Sequence, residues 1–297
     1  MSPHIHLEQR PWELPVWFTL ILLLIASLYV RGWISVRSES GTPIPTWKAT
    51  SFLLGLLLIW TAWGSPLAAY DHSLLTAHMI KHLLLMTFAP ALILLGDPLR
   101  GLWHRSPLLV RSALSRLPKQ PLLQRLGRIL TTPALCLTVS SLILLAWHLP
   151  PLFTLCARSA IWHTVEQATF FGAGLLFWWP VIQPWPRAST GSRWSILLYL
   201  FLATLPCDIL SGFLVFSDRV AYPVYLSAPR MFGFSVLEDQ QCAAALMWTC
   251  VTLVYLVSAA IISIGLLAPQ TSTRRDLTRP QSDGGVPQID SQSFGVV

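Results

Sequence analysis

Long apolar blocks alternate with short polar stretches along most of the chain, and each block runs to about twenty residues. A helix of that length rises roughly 30 Å, the thickness of a bilayer's hydrocarbon layer. The pattern predicts seven membrane-spanning helices, at about Leu14–Ile34, Trp47–Ala69, Leu74–Leu95, Pro133–Pro150, Ala160–Ile182, Trp194–Phe216 and Gln241–Leu267. Helices are the reading because backbone polar groups in lipid must be satisfied within their own segment. Pro90 and Pro206 fall inside the third and sixth blocks, where each is expected to kink its helix. The fold class is therefore all-α, a polytopic membrane bundle. It is divided into an outer N-terminal segment over 1–13, a seven-helix transmembrane domain over 14–268 and a disordered tail over 269–297.

Composition agrees with this pattern. Of 297 residues, 54% are hydrophobic and only 11% charged, less than half the charge of an ordinary soluble domain. Trp12, Trp17, Trp33, Trp47, Trp178, Trp179 and Trp194 sit near the expected span ends, as interfacial aromatics do. The five cysteines form no CxxC pair, so no disulfide framework is expected. The first block has no cleavage site after it, so no cleavable signal peptide is expected.

The net charge of +7 reports topology rather than nucleic-acid binding. The stretch 96–132 holds seven Lys and Arg against the single acid Asp97, which places it in the cytoplasm. Alternation then puts 15 basic residues inside and 4 outside, with Lys81 within the third span. The N-terminus is expected outside and the C-terminus in the cytoplasm. Leu109, Val110, Ala113, Leu114 and Leu117, opposite Arg111 and Arg116, fit a short helix lying on an anionic membrane face. Membrane lipids, not nucleic acid, are the expected partners of this charge.

Topology turns the histidines into a pattern. His4, His6, His72, His78, His82, His148 and His163 all fall on the outer side, and only His104 falls inside. His78 and His82 share one helical face, which Met86 continues and Met79 flanks. Imidazoles with nearby thioethers are ligands that copper accepts, cuprous copper above all. His148 and His163 join from the ends of two further helices. Glu166, one turn after His163, is placed to orient that imidazole. Asp239 and His72 are outer polar groups suited to support or docking, Asp71 is a further outer acid, and Asp208 is an ionisable residue deep in the sixth span. The same residues would equally serve as interfacial hydrogen-bonding groups, with the methionines filling gaps between helices.

At these positions the sequence resembles the CtaG family of membrane proteins needed for cytochrome c oxidase assembly. The matching segments are HMIKHLLLMTFAPALILLGDP at 78–98, AWHLPPLF at 146–153, WHTVEQATFFGAGLLFWWPVI at 162–182, LPCDILSGFLVF at 205–216 and EDQQCAAALMW at 238–248. The resemblance implies a seven-helix bundle in the bacterial inner (plasma) membrane that serves a cytochrome c oxidase subunit, with copper supply as a mechanism. Where family members commonly have a second histidine after the glutamate, this chain has Gln167. Where they tend to have glycines after the Asp-Gln pair, it has Cys242, Ala243 and Ala244.

The expected function is thus a non-enzymatic assembly factor presenting copper through an outer His/Met cluster of His78, His82, His148, His163, Met79 and Met86. Glu166, Asp239, Asp208 and His72 are expected behind it or at a docking surface. No HExxH or nucleophile motif occurs, and no catalytic residue is expected. Two alternatives stay open: a b-type haem electron carrier using His82 with His148 or His163, and a copper transporter.

Overall fold

A computed structural model describes residues 14–39, 45–98, 121–182, 193–230 and 232–267. The expected outer segment, His4, His6, His104, the amphipathic helix around Arg111, the loop at Arg187 and the tail lie outside the described residues. Among the described residues every regular element is helical. In chain order they are α1 (Val16–Glu39), α2 (Thr46–Gly64), the single turn α3 (Leu67–Tyr70) and α4 (Leu75–Leu95). Then come α5 (Pro121–Leu130), α6 (Pro133–Trp147), α7 (Pro150–Arg158) and α8 (Ala160–Ile182). α9 (Arg193–Val215), a 3₁₀ turn at Pro223–Ser227 and α10 (Val236–Leu267) complete the order.

Among the described residues four helices are long and apolar enough to cross a membrane: α1 over Val16–Val36, α4, α9 over Trp194–Val215, and α10. A fifth is added if α5 and α6, bent by 60° at their junction, count as one span. The seven spans expected from the sequence are therefore matched by four or five on length and composition. α2 has the length, at 19 residues, but carries Lys48 and several hydroxyls. α8 has 23 residues, diluted by His163, Glu166, Gln167 and tryptophans. Outward faces are nonetheless apolar: Ile209, Phe213, Ile261 and Ile264 are each about two-thirds exposed or more. Buried Asp71, Lys81, Glu166 and Gln240 face inward. That inside-out arrangement belongs to a membrane protein.

The interior has two apolar clusters. The larger joins α4, α6 to α10 and the 3₁₀ turn, with Phe177 stacked between Tyr199 and Tyr255 at 5.3 and 4.9 Å between ring centroids. The smaller ties α1 to α2 through Tyr29 stacked on Phe52 at 4.0 Å. Tyr29 Oη also donates to the Gly96 carbonyl.

Three local features position the site. First, α4 is not a uniform α-helix. Leu83–Phe88 is π-helical, with the Ala89 N–H bonded to the Leu84 carbonyl, and this wider turn leads directly into Pro90, which has no N–H to offer. Second, Gly174 of α8 meets α4 at this point. A Cβ there would lie 2.4 Å from the Met86 carbonyl oxygen and 2.6 Å from Pro90 Cγ, so only glycine admits the approach. Third, α10 starts five residues earlier than expected. Ser235 Oγ accepts from the Glu238 N–H while the Glu238 carboxylate accepts from the Ser235 N–H, a reciprocal capping box.

Candidate metal centre

α4 begins at Leu75, after the turn that holds Asp71, and its first two turns carry His78, Met79, Lys81 and His82, all buried. The helix starts where it does because Asp239 of α10 caps it. The Asp239 carboxylate accepts from the Leu75 and Thr76 N–H groups at 2.6 and 3.1 Å, and from Thr76 Oγ1 at 2.6 Å. Asp239 thus anchors α4 to α10.

Asp71, in the turn before α4, organises the cluster. Its carboxylate is wholly buried. His78 Nδ1 lies 2.7 Å from Oδ1, while Lys81 Nζ and His163 Nε2 lie 2.6 and 2.7 Å from Oδ2. Tyr225 of the 3₁₀ turn donates its hydroxyl to the Asp71 carbonyl at 3.0 Å. Burial would raise the Asp71 pKa, but His78 and Lys81 beside it, with hydrogen bonds from His163 and His78, hold it well below the usual carboxylate range. Lys81 is therefore neutralised in place.

The second carboxylate is Glu166 of α8, fully buried, with neither oxygen hydrogen-bonded. Its Oε1 lies 3.6 Å from His78 Nε2 and 3.7 Å from His82 Nε2, too far for hydrogen bonds. His78 Nε2 and both ring nitrogens of His82 are likewise buried without a partner. Such groups cost several kcal/mol each unless something supplies the missing contact. One atom from each of His78, His82 and Glu166 lies within 4.8 Å of the others. Ligand atoms each about 2.0–2.2 Å from a shared ion would stand roughly 3–4 Å apart. The donor set fits a cation.

His78 is oriented toward that point. Its Nδ1 faces the Asp71 carboxylate, so a neutral ring carries its proton there and turns the Nε2 lone pair toward Glu166 and His82. His148 is arranged in the same way: Nδ1 faces the Leu144 carbonyl at 2.7 Å, leaving Nε2 3.4 Å from Met79 Sδ. Its ring centroid is 5.8 Å from that of His82.

The structure thus gathers His78, Met79, His82, His148, His163 and Glu166 from α4, α6, α8 and the turns between. His163 joins through Asp71, not Glu166, whose Oε2 is 4.0 Å away. Gln167, where the resembled family commonly has histidine, places its amide nitrogen 2.7 Å from His163 Nε2. His72 is exposed, with its ring 5.4 Å from that of His163, and forms a second carboxylate–imidazole group with Asp71 and His163. Met86 lies one turn deeper than His82 and lines a cavity with it. Asp208 has a buried Oδ1 without a partner and makes no ion pair among the described residues. Sequence reasoning named Asp71 only as an outer acid. It lies in the turn before α4, with Leu74 extended between it and His78, so helical spacing gave no signal of their contact.

A family model described as cytochrome c oxidase caa3 assembly factor (Caa3_CtaG) matches residues 27–268. The chain belongs to this family. The match contains every residue of the cluster. Three mycobacterial proteins, each described as uncharacterized, are also similar. Those of Mycobacterium bovis and Mycobacterium tuberculosis are 25% identical over 255 residues, and that of Mycobacterium leprae is 24% identical over the same length. These alignments cover 81% of this chain but only 36–37% of the relatives, so the chain spans little more than a third of their length. No solved structure matches it.

Proposed function

We propose that this chain is an integral membrane assembly factor for a cytochrome c oxidase and that it presents copper to an oxidase subunit through His78, His82 and Glu166, with Met79, His148 and His163 alongside. The carrying observation is the convergence of unpartnered, fully buried donor atoms on one point: His78 Nε2, His82 Nε2 and both Glu166 oxygens. Copper is the cargo, and the family's role in oxidase assembly supplies its destination.

The cluster suits holding and release. Asp71 fixes His78 and His163 while Lys81 balances its charge, so Glu166 alone offers charge to an incoming cation. The adjacent His148–Met79 pair offers a softer donor set for ligand exchange. The cluster requires no turnover chemistry, and the chain acts as a carrier, not an enzyme. The haem alternative is less well supported, because the cavity beside His82 is about 40 Å³, far smaller than a porphyrin.

The topology in this reading has seven crossings, α1, α2, α4, α6, α8, α9 and α10, in the bacterial plasma membrane. The N-terminus is outside, the C-terminus cytoplasmic and the cluster at the outer ends. The test is complementation in a bacterium lacking its own copy of this factor. His78→Ala/His82→Ala should lower assembled oxidase activity at least tenfold while the chain remains in the membrane, with added copper restoring part of the loss. Wild-type activity from that variant would overturn the reading.

A further inference from the structure

Directly beneath His82 the interior is not closed. A cavity of about 40 Å³ continues downward between α4, α6, α8, α9 and α10, room for a bare ion and a water. Three sulfur side chains from three helices line it: Met86 of α4, Cys207 of α9 and Met247 of α10. Cys207 and Met247 are each only 3% exposed. The roof is His82, 5% exposed, with neither ring nitrogen hydrogen-bonded. Carboxylates and ammonium groups are absent from this lining, and its other polar groups are the hydroxyls of Thr87, Ser140, Ser141 and Tyr255.

From this we infer that the cavity is a second metal site, distinct from the His78/Glu166 centre, which takes a soft monovalent cation of the cuprous or silver class on Met86, Met247 and the Cys207 sulfur. Two thioethers and a thiolate are soft donors that favour such ions over calcium, magnesium or manganese. Charge decides the valence. Binding forms one metal–sulfur bond at Cys207 as the thiol proton leaves to solvent, so a monovalent ion and a thiolate together carry no net charge. A divalent ion would carry a second positive charge that no carboxylate of the lining meets. The site extends the soft donors one level deeper than the outer cluster, and it stands whether or not that cluster binds metal.

The experiment uses the full chain in detergent, carrying His78→Ala and Glu166→Gln to disable the outer centre and Cys242→Ala and Cys250→Ala to remove the more accessible thiols. Silver(I) is the probe, titrated against a competing chelator and then examined by X-ray absorption. One equivalent should bind with a shell of sulfur neighbours. Met86→Leu/Met247→Leu, close to volume-conserving and so expected to fold, should weaken binding at least tenfold and strip the shell to one sulfur. Cys207→Ser should abolish the metal–thiolate bond. The proposal is overturned if no silver is retained, if the shell has a single sulfur from the start, or if the methionine substitutions change neither affinity nor shell. A circular dichroism melt of each variant separates lost ligation from lost fold. Failure here leaves cupric binding by the unmodified outer centre untouched, and that binding is measured separately.

Discussion

Asp71 Oδ2 stands 2.7 Å from His163 Nε2, whereas Glu166 Oε2, on the same helix one turn from His163, stands 4.0 Å away. The carboxylate that orients His163 therefore comes from the turn before α4, and Glu166 is left free to face the gap between His78 and His82. Two carboxylates face two ways: Asp71 positions imidazoles, and Glu166 is the one that would meet a cation in the proposed reading.

This division predicts a pattern of coupling. Asp71→Asn and His163→Ala should each weaken copper binding by roughly 10–100-fold, and the double variant should be no worse than the poorer single one. Glu166→Gln should instead add to His163→Ala, because the two act separately. Chelator competition on the four variants measures this. Coupling of Glu166 and His163, with Asp71 independent, would reverse the assignment.

Acid should release the Asp71 anchor. Its folded pKa is depressed below the ordinary value of about 3.9, so its stabilisation is complete above about pH 5 and is lost as pH falls through 3.9 toward the folded value. Melts of the wild type should drop between about pH 5 and pH 2 more steeply than those of Asp71→Asn, which is weaker at pH 7 but flatter below it. Parallel curves would show that another group carries the acid sensitivity.

Backbone proximity makes a purely steric prediction. At Gly174 an added methyl collides with the Met86 carbonyl and the Pro90 ring, so Gly174→Ala should cost about 1–3 kcal/mol. At Gly212, on α9, nothing lies within 4 Å, and Gly212→Ala should be neutral or stabilising by up to about 1 kcal/mol. Unfolding followed by circular dichroism gives both signs at once.

Asp239 should behave as a cap and not as a ligand. Asp239→Ala removes the acceptor for two α4 N–H groups and the Thr76 hydroxyl and should cost about 1–2 kcal/mol, with copper stoichiometry unchanged. Loss of copper without loss of stability would place Asp239 in the site.

Apolar periodicity was enough to read most helices, and α8 matches its expected bounds of Ala160–Ile182 at both ends. The i,i+4 rule likewise put His78 and His82 on one face, toward the same buried point. What stayed hidden depended on contacts distant in sequence. Nothing near Asp239 shows that it caps a helix more than 160 positions away, and only the fold brings α8 close enough for Glu166 to face α4. The early start of α10 was legible, since Ser235 and Glu238 hold capping-box spacing, but apolar periodicity drew attention to Gln241 instead. α8 falls outside the apolar spans because it carries His163, Glu166 and Gln167, and the last two are buried inside the bundle.

Cupric binding decides whether His78, His82 and Glu166 form one cation site. Purified full-length protein is dialysed against cupric ion in a weak chelating buffer and its bound copper measured. Wild type should retain one equivalent that His78→Ala, His82→Ala and Glu166→Gln each weaken by at least tenfold, while Asp239→Ala retains it. Equal copper retention by wild type and Glu166→Gln would contradict the account.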